Sequence, residues 1–155
     1  EERAEALKES GNEAFKLAKT EGAKRYRDAE VYYTQALECN GKDTKVNSQI
    51  YSNRALVHLT TGLCSELVKL VMFKHCFVRS SSANYGHCVA DCDKAIALHA
   101  ANVKAYLRAA KACLHVHKLE KSREYLTRGQ EQKCVRRFAR LQCVVERRLP
   151  LADRR

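Results

Sequence analysis

The sequence predicts an all-α protein: three stacked helical hairpins closed by a capping helix and wound as a right-handed superhelical solenoid. Three observations carry this. Glycine and proline, the main helix breakers, number only six and one in 155 residues. Apolar residues recur at three- and four-residue steps, as on one face of a helix. A small–large–small triplet returns in every second helix, as Ala29/Tyr33/Ala36, Cys88/Cys92/Ala95 and Ser122/Leu126/Gly129, with Cys92 a smaller stand-in for the bulky residue. Small residues let helices approach closely, and the large one fills the space beside them.

The first helix shows its apolar face in Ala4, Leu7, Gly11, Ala14 and Phe15. The polar stretch Lys19 to Lys24, containing Gly22, reads as a turn. Ala29, Tyr32, Tyr33, Ala36 and Leu37 mark the second helix. A third opens at Tyr51-Ser52-Asn53-Arg54-Ala55 and runs to Leu59, and Asn84-Tyr85 leads into a fourth carrying Cys88, Cys92, Ala95, Ile96 and Leu98. Val103 to Leu114 and Leu119 to Gly129 form the third pair. Gln132 to Arg148 supplies the cap, with Val135, Phe138, Ala139, Leu141, Gln142 and Val145 on or near one face and arginines opposite. Pro150 stops it.

This is the pattern of tetratricopeptide repeats, helix–turn–helix units of about 34 residues. Each hairpin alone would leave an apolar face wet, so stacking and a cap are needed. The expected domain spans residues 2–132, the capping helix 133–148 and a basic tail 149–155. Two departures from the period stand out. Phe15 to Tyr26 is about six residues longer than usual, which a longer turn can absorb. Removing Leu63 to Ala83 would join Gly62 to Asn84 and restore an ordinary repeat turn, so these 21 residues look like an insertion at the tip of the second hairpin. Three readings stand for it: an extension of both helices or a floppy loop, translated intron or splice-variant sequence, and a dedicated interaction loop.

The net charge is +11, and residues 133–155, with eight basic against two acidic residues, carry +6 of it. Such a surface suits an acidic peptide, an anionic membrane or nucleic acid, and charge alone does not choose. The eight cysteines contain no Cys-x-x-Cys pair, and most fall at apolar helical positions, as in a reducing compartment. With no signal-peptide pattern at Glu1-Glu2-Arg3-Ala4, the expected location is cytoplasmic, with the nucleus as an alternative. No apolar run reaches the roughly 20 residues of a membrane span. Leu67 to Val78 comes nearest and is interrupted by Lys69 and Lys74.

The candidate binding residues are Lys8, Asn12, Asn53, Lys104 and Arg108. Lys8 and Asn12 are four residues apart, as are Lys104 and Arg108, so each pair shares one helix face. Asn53 belongs to the first helix of the repeat between them. First helices of such repeats line the concave groove. Lysine and arginine give charge-assisted bonds to a carboxylate, and asparagine adds amide donors without repulsion between neighbouring cations. The set suits a peptide ending in Asp, which offers two carboxylates close together.

Lys8-Glu9-Ser10-Gly11-Asn12, Tyr51-Ser52-Asn53-Arg54-Ala55 and Lys104-Ala105-Tyr106-Leu107-Arg108 resemble the carboxylate-clamp motifs of co-chaperone tetratricopeptide domains. The stretch from Asn102 to Ala112 resembles the tetratricopeptide repeat protein 4 (Cns-type) family in particular. The resemblance implies a non-catalytic, monomeric adaptor whose clamp binds the Glu-Glu-Val-Asp tail of heat-shock protein 90, heat-shock protein 70 or both, without a cofactor. Thr60 stands where some clamp domains carry lysine, which bears on residues upstream of the terminal Asp. An insertion that shifted the second hairpin would take Lys104 and Arg108 out of register with Lys8.

Competing readings are plainer. His87, Cys88 and Cys92 hint at a metal, but zinc needs four convergent ligands and packing accounts for both cysteines. His115 and His117 flank a helix end and read as surface residues. Tyr32, Tyr33 and Tyr51 read as packing between helices. The arginines of the cap (Arg136, Arg137, Arg140, Arg147, Arg148) read as a solvated face, with nucleic-acid or acidic-surface binding as the alternative function. No aromatic residues interleave with them, which weakens sequence-specific RNA reading. No phosphate loop, nucleophile elbow or zinc helix is present, so no enzyme is expected.

Overall fold

A computed structural model describes residues 2–39, 42–71, 80–132 and 136–148. Seven helices follow in order: α1 (Glu2–Glu21), α2 (Ala23–Glu38), α3 (Thr44–Val71), α4 (Ser80–Leu98), α5 (Val103–His115), α6 (Leu119–Gln132) and α7 (Arg136–Arg148). The tail 149–155 lies outside the described residues. α1 pairs with α2, α3 with α4 and α5 with α6, and each hairpin packs on the next. The backbones of the odd helices also approach in succession, α1 on α3, α3 on α5 and α5 on α7, whereas α6 reaches α4 through a side chain, the Tyr125 hydroxyl donating to the Asp93 carboxylate at 2.6 Å. The odd helices therefore form the inner layer and the even helices splay outside it. This is the all-α solenoid that the triplets predict.

Helix ends differ from the sequence reading. The predicted turn at Lys19 to Lys24 contracts to Gly22, because nothing in Lys19, Thr20 or Glu21 stops α1. The extra residues lengthen the two helices rather than the loop. Gly22 turns the chain at φ 90°, a conformation that favours glycine, and accepts a bond from the Arg25 amide at 3.2 Å. α3 begins at Thr44 instead of near Tyr51, where the Asp43 carboxylate accepts the Lys45 amide at 2.7 Å and caps the first turn. It then runs past Leu59 to Val71, and α4 starts at Ser80 instead of near Asn84. Both helices of the second hairpin thus extend into 63–83, and 72–79 lie outside the described residues. α5 ends as expected, through His117 at φ 58°, with the Lys118 amide donating back to the Cys113 carbonyl at 2.9 Å.

Glycine fixes how closely the helices pack. A methyl group on Gly11 would lie 2.6 Å from Tyr33, one on Gly62 2.9 Å from Tyr85, and one on Gly129 2.5 Å from Phe138. The buried rings lie flat against bare backbone, twice within a hairpin and once between α6 and the cap. Between hairpins, Tyr85 of α4 stacks on His115 of α5 with ring centroids 5.1 Å apart. Polar links add direction: Asn102, at the start of α5, donates to the Ser48 hydroxyl of α3 at 2.9 Å.

One buried ion pair locks the second hairpin. Arg54 of α3 makes two bonds of 2.8 Å to the Asp91 carboxylate of α4 and a third to the Thr34 hydroxyl of α2 at 3.1 Å. His58 lies 3.7 Å from the same carboxylate and edge-on to His87. Burial holds the His58 pKa below its ordinary value, with Glu30 and Asp91 opposing the shift. Asp91→Ala leaves the Arg54 charge buried without its partner, so the fold should lose about 3 kcal/mol or more in chemical denaturation. Gly129→Ala discriminates packing from helix propensity. Propensity alone would stabilise α6 by about 1 kcal/mol, whereas the clash with Phe138 should lower stability by about 1–3 kcal/mol.

Candidate functional site

The inner layer carries the five candidate residues: Lys8 and Asn12 on α1, Asn53 on α3, Lys104 and Arg108 on α5. Their side chains are linked across the layer. Asn53 Nδ2 donates to Asn12 Oδ1 at 3.1 Å, and the Tyr33 hydroxyl donates to the same oxygen at 2.8 Å. Arg108 Nη1 donates to the Ser52 carbonyl and, at 2.5 Å, to the Ser52 hydroxyl, one residue from Asn53. Asn12, Asn53 and Arg108 are thereby held at the meeting of three helices. The extended second hairpin leaves this register intact, because Ser52 and Asn53 sit well below its tip.

Lys8 and Lys104 lie one helical turn from Asn12 and Arg108, in different surroundings. Lys8 is buried, and its ammonium sits 3.2 Å from Glu5 Oε1 and 3.6 Å from Glu9 Oε1. Glu9 also accepts from Asn12 Nδ2 at 3.2 Å. Glu9 thus contacts both α1 residues, while the hydrogen bond of the Lys8 ammonium goes to Glu5. Lys104 is exposed and, with Leu107 and Lys111, borders the open space between α5 and α7.

Electrostatics separates the donors further. Burial pulls the Arg108 pKa below the usual guanidinium value, against the Cys92, Cys88 and Tyr33 groups nearby, yet arginine stays charged. Burial pushes the Tyr33 hydroxyl up to about 12, so it remains a donor to Asn12. Five N–H groups radiate from a guanidinium, and the Ser52 contacts use Nη1. Thr60 adds no charge to the layer, since its hydroxyl donates to the Leu56 carbonyl at 2.8 Å.

Beside these residues α5 and α7 enclose a groove of about 590 Å³, lined in part by Lys104, Arg108, Lys111 and Arg140. Sequence reasoning missed Tyr33 and Ser52 as polar partners, Glu9 as an internal carboxylate, and Arg140 as a groove residue. The motif next to Asn53 was a usable signal for Ser52; nothing local marks the others. Among the described residues no cluster of metal-ligating side chains assembles, and no helix is long and apolar enough to cross a membrane.

No protein-family model matches the chain. It is 33% identical over 124 residues to the Hsp70/Hsp90 co-chaperone CNS1 of Saccharomyces cerevisiae, a match covering 80% of this chain and 25% of that protein. It is 34% identical over 122 residues to the tetratricopeptide repeat protein 4 homolog of Dictyostelium discoideum, covering 79% of this chain and 24% of that one. The chain thus spans about a quarter of the length of these relatives. Among solved structures, the Hsp90 co-chaperone Cns1 from Saccharomyces cerevisiae superposes with a TM-score of 0.71 at 28% identity, covering 94% of this chain and 39% of that one. The first repeat domain of Spaghetti (RPAP3), bound to the HSP90 peptide SRMEEVD, gives 0.70 at 22% identity, covering 94% and 92%. The chain is a tetratricopeptide-repeat domain of the Cns1 type.

Proposed function

We propose that this chain is the chaperone-binding domain of a non-catalytic co-chaperone, and that Lys8, Asn12, Asn53, Lys104 and Arg108 hold the Glu-Glu-Val-Asp tail of heat-shock protein 90 or heat-shock protein 70. Residues 2–132, with 63–83 as an insertion, form the binding domain and 133–148 cap it. The observation that carries the reading is the linkage of Asn12 to Asn53 and of Arg108 to Ser52, which draws donors from three repeats to one face. Likeness to Cns1, an Hsp70/Hsp90 co-chaperone by name, supports the choice of partner.

The chemistry follows from the donors. A peptide ending in Asp brings two carboxylates, one for the α1–α3 amides and Lys8, the other for Lys104 and Arg108. Charge-assisted bonds of this kind are short and strong. Arg108 and Lys8 are largely desolvated by the fold, so less water must be removed on binding, and Asn12 and Asn53 are held in place before the ligand arrives. Glu9 behaves as the resident carboxylate that the ligand displaces. Its ion pair with Lys8 reaches solvent on the glutamate side, where such pairs contribute about 0–1 kcal/mol.

Isothermal titration with Met-Glu-Glu-Val-Asp tests the reading. Lys104→Ala should weaken binding about tenfold or more, amidation of the peptide terminus should do the same, and affinity should fall as salt rises. Unchanged affinity for the amidated peptide would sink the clamp. Glu9→Gln removes the carboxylate that Asn12 and Lys8 share while leaving the Lys8–Glu5 bond, so it should tighten binding by about twofold in the same titration.

A further inference from the structure

Three pairs of side chains, each pair one helical turn apart, meet where the first hairpin packs on the second: Glu30 and Thr34 on α2, Arg54 and His58 on α3, His87 and Asp91 on α4. None of them belongs to the clamp. The His58 ring is buried, and its Nε2 lies 3.7 Å from Asp91 Oδ2. Arg54 Nε already donates to that same oxygen at 2.8 Å. The charged and titratable groups that face His58 are Glu30 from α2, Asp91 and His87 from α4, and Arg54 from its own helix. One carboxylate oxygen thus lies between a permanent cation and a ring that gains its charge in mild acid. Burial is the largest influence on that ring and holds its pKa below the ordinary value of 6.5, against the pull of Glu30 and Asp91. The neutral ring therefore prevails above the ordinary histidine value. Its stabilising share is lost as the pH falls below that value and on through the lower one of the folded chain.

A proton on His58 changes which partner the shared oxygen serves. A buried imidazolium needs a carboxylate, and Asp91 is within its reach. Arg54 has a second carboxylate at hand, because Glu30 acts electrostatically on both Arg54 and His58. Turning to Glu30 takes the guanidinium one turn along α2, away from the Thr34 hydroxyl that it holds at 3.1 Å. Adjacency in the chain carries this change to the tail site. Thr34 follows Tyr33 and Arg54 follows Asn53, and Tyr33 and Asn53 both donate to Asn12 Oδ1. The Arg54–Thr34 bond therefore fixes α2 against α3 right beside the clamp amides. We propose that Arg54, His58 and Asp91 form a proton-operated latch: protonation of His58 draws Asp91 from Arg54, releases Arg54 from Thr34, and lowers the affinity of the clamp for an acidic tail. This rests on the clamp reading and adds to it a regulator that touches no ligand.

Isothermal titration with acetylated Met-Glu-Glu-Val-Asp over a range of pH tests the latch. The tail's carboxylates, with ordinary pKa values of about 4, stay charged throughout. From about pH 7.5 to about pH 5.5 wild-type affinity should fall about threefold, whereas His58→Gln should match wild type at the upper pH and change little on acidification. Binding and protonation are linked reciprocally. Saturating peptide should therefore lower the His58 midpoint, followed through its ring protons by NMR, and leave that of the exposed His117 in place. The NMR titration uses the unaltered chain, so it stands even if His58→Gln folds poorly. A pH dependence that survives His58→Gln, or a His58 midpoint unmoved by saturating peptide, overturns the latch. Absence of binding to the wild-type chain at the upper pH overturns the clamp itself, and the latch with it.

Discussion

The packing rests on aromatic rings laid against glycine. Gly11 meets Tyr33, Gly62 meets Tyr85 and Gly129 meets Phe138, each at a distance that admits no Cβ. Where two helices meet through such a contact their axes come close, and the surrounding small residues, Ala29, Ala36, Cys88 and Ala95, complete the fit. The spacing inside each hairpin then governs how the next one stacks. A solenoid contacts only its neighbours, so register passes along the chain step by step.

The candidate site is an outgrowth of that packing. Tyr33 is fully packed at its ring, yet its hydroxyl emerges beside Asn12 and fixes the amide that Asn53 also contacts. Ser52 is buried in α3 and holds Arg108 of α5. The polar groups are thus secured from beneath by residues belonging to the core, and they need little rearrangement to meet a ligand. The two ends are looser. Lys8 is paired with exposed glutamates of its own helix, and Lys104 stands in solvent.

Local patterns were legible in the sequence, and long-range partners were not. Apolar periodicity and the repeating triplets located all seven helices because each is written within one or two turns. Helix ends were read too short at α1, α3 and α4, since a stretch without proline or strong capping lets a helix run on regardless of its polarity. Of the site, the spacing Lys8/Asn12 and Lys104/Arg108 is a local property and could be read directly. The Tyr33–Asn12 bond spans 21 residues and Arg108–Ser52 spans 56, so neither leaves a periodic trace. Arg140 was indistinguishable from its neighbouring arginines until α7 was placed against α5.

Burial of Arg108 has an evolutionary side. The fold desolvates this cation and gives it a serine in return, a weaker partner than the carboxylate that Arg54 finds in Asp91. A chain selected for stability alone would do better with an apolar side chain of similar length at this position. Its retention in a descendant that had lost the ligand would be temporary, and drift to leucine or methionine there would be an early sign that the groove no longer serves.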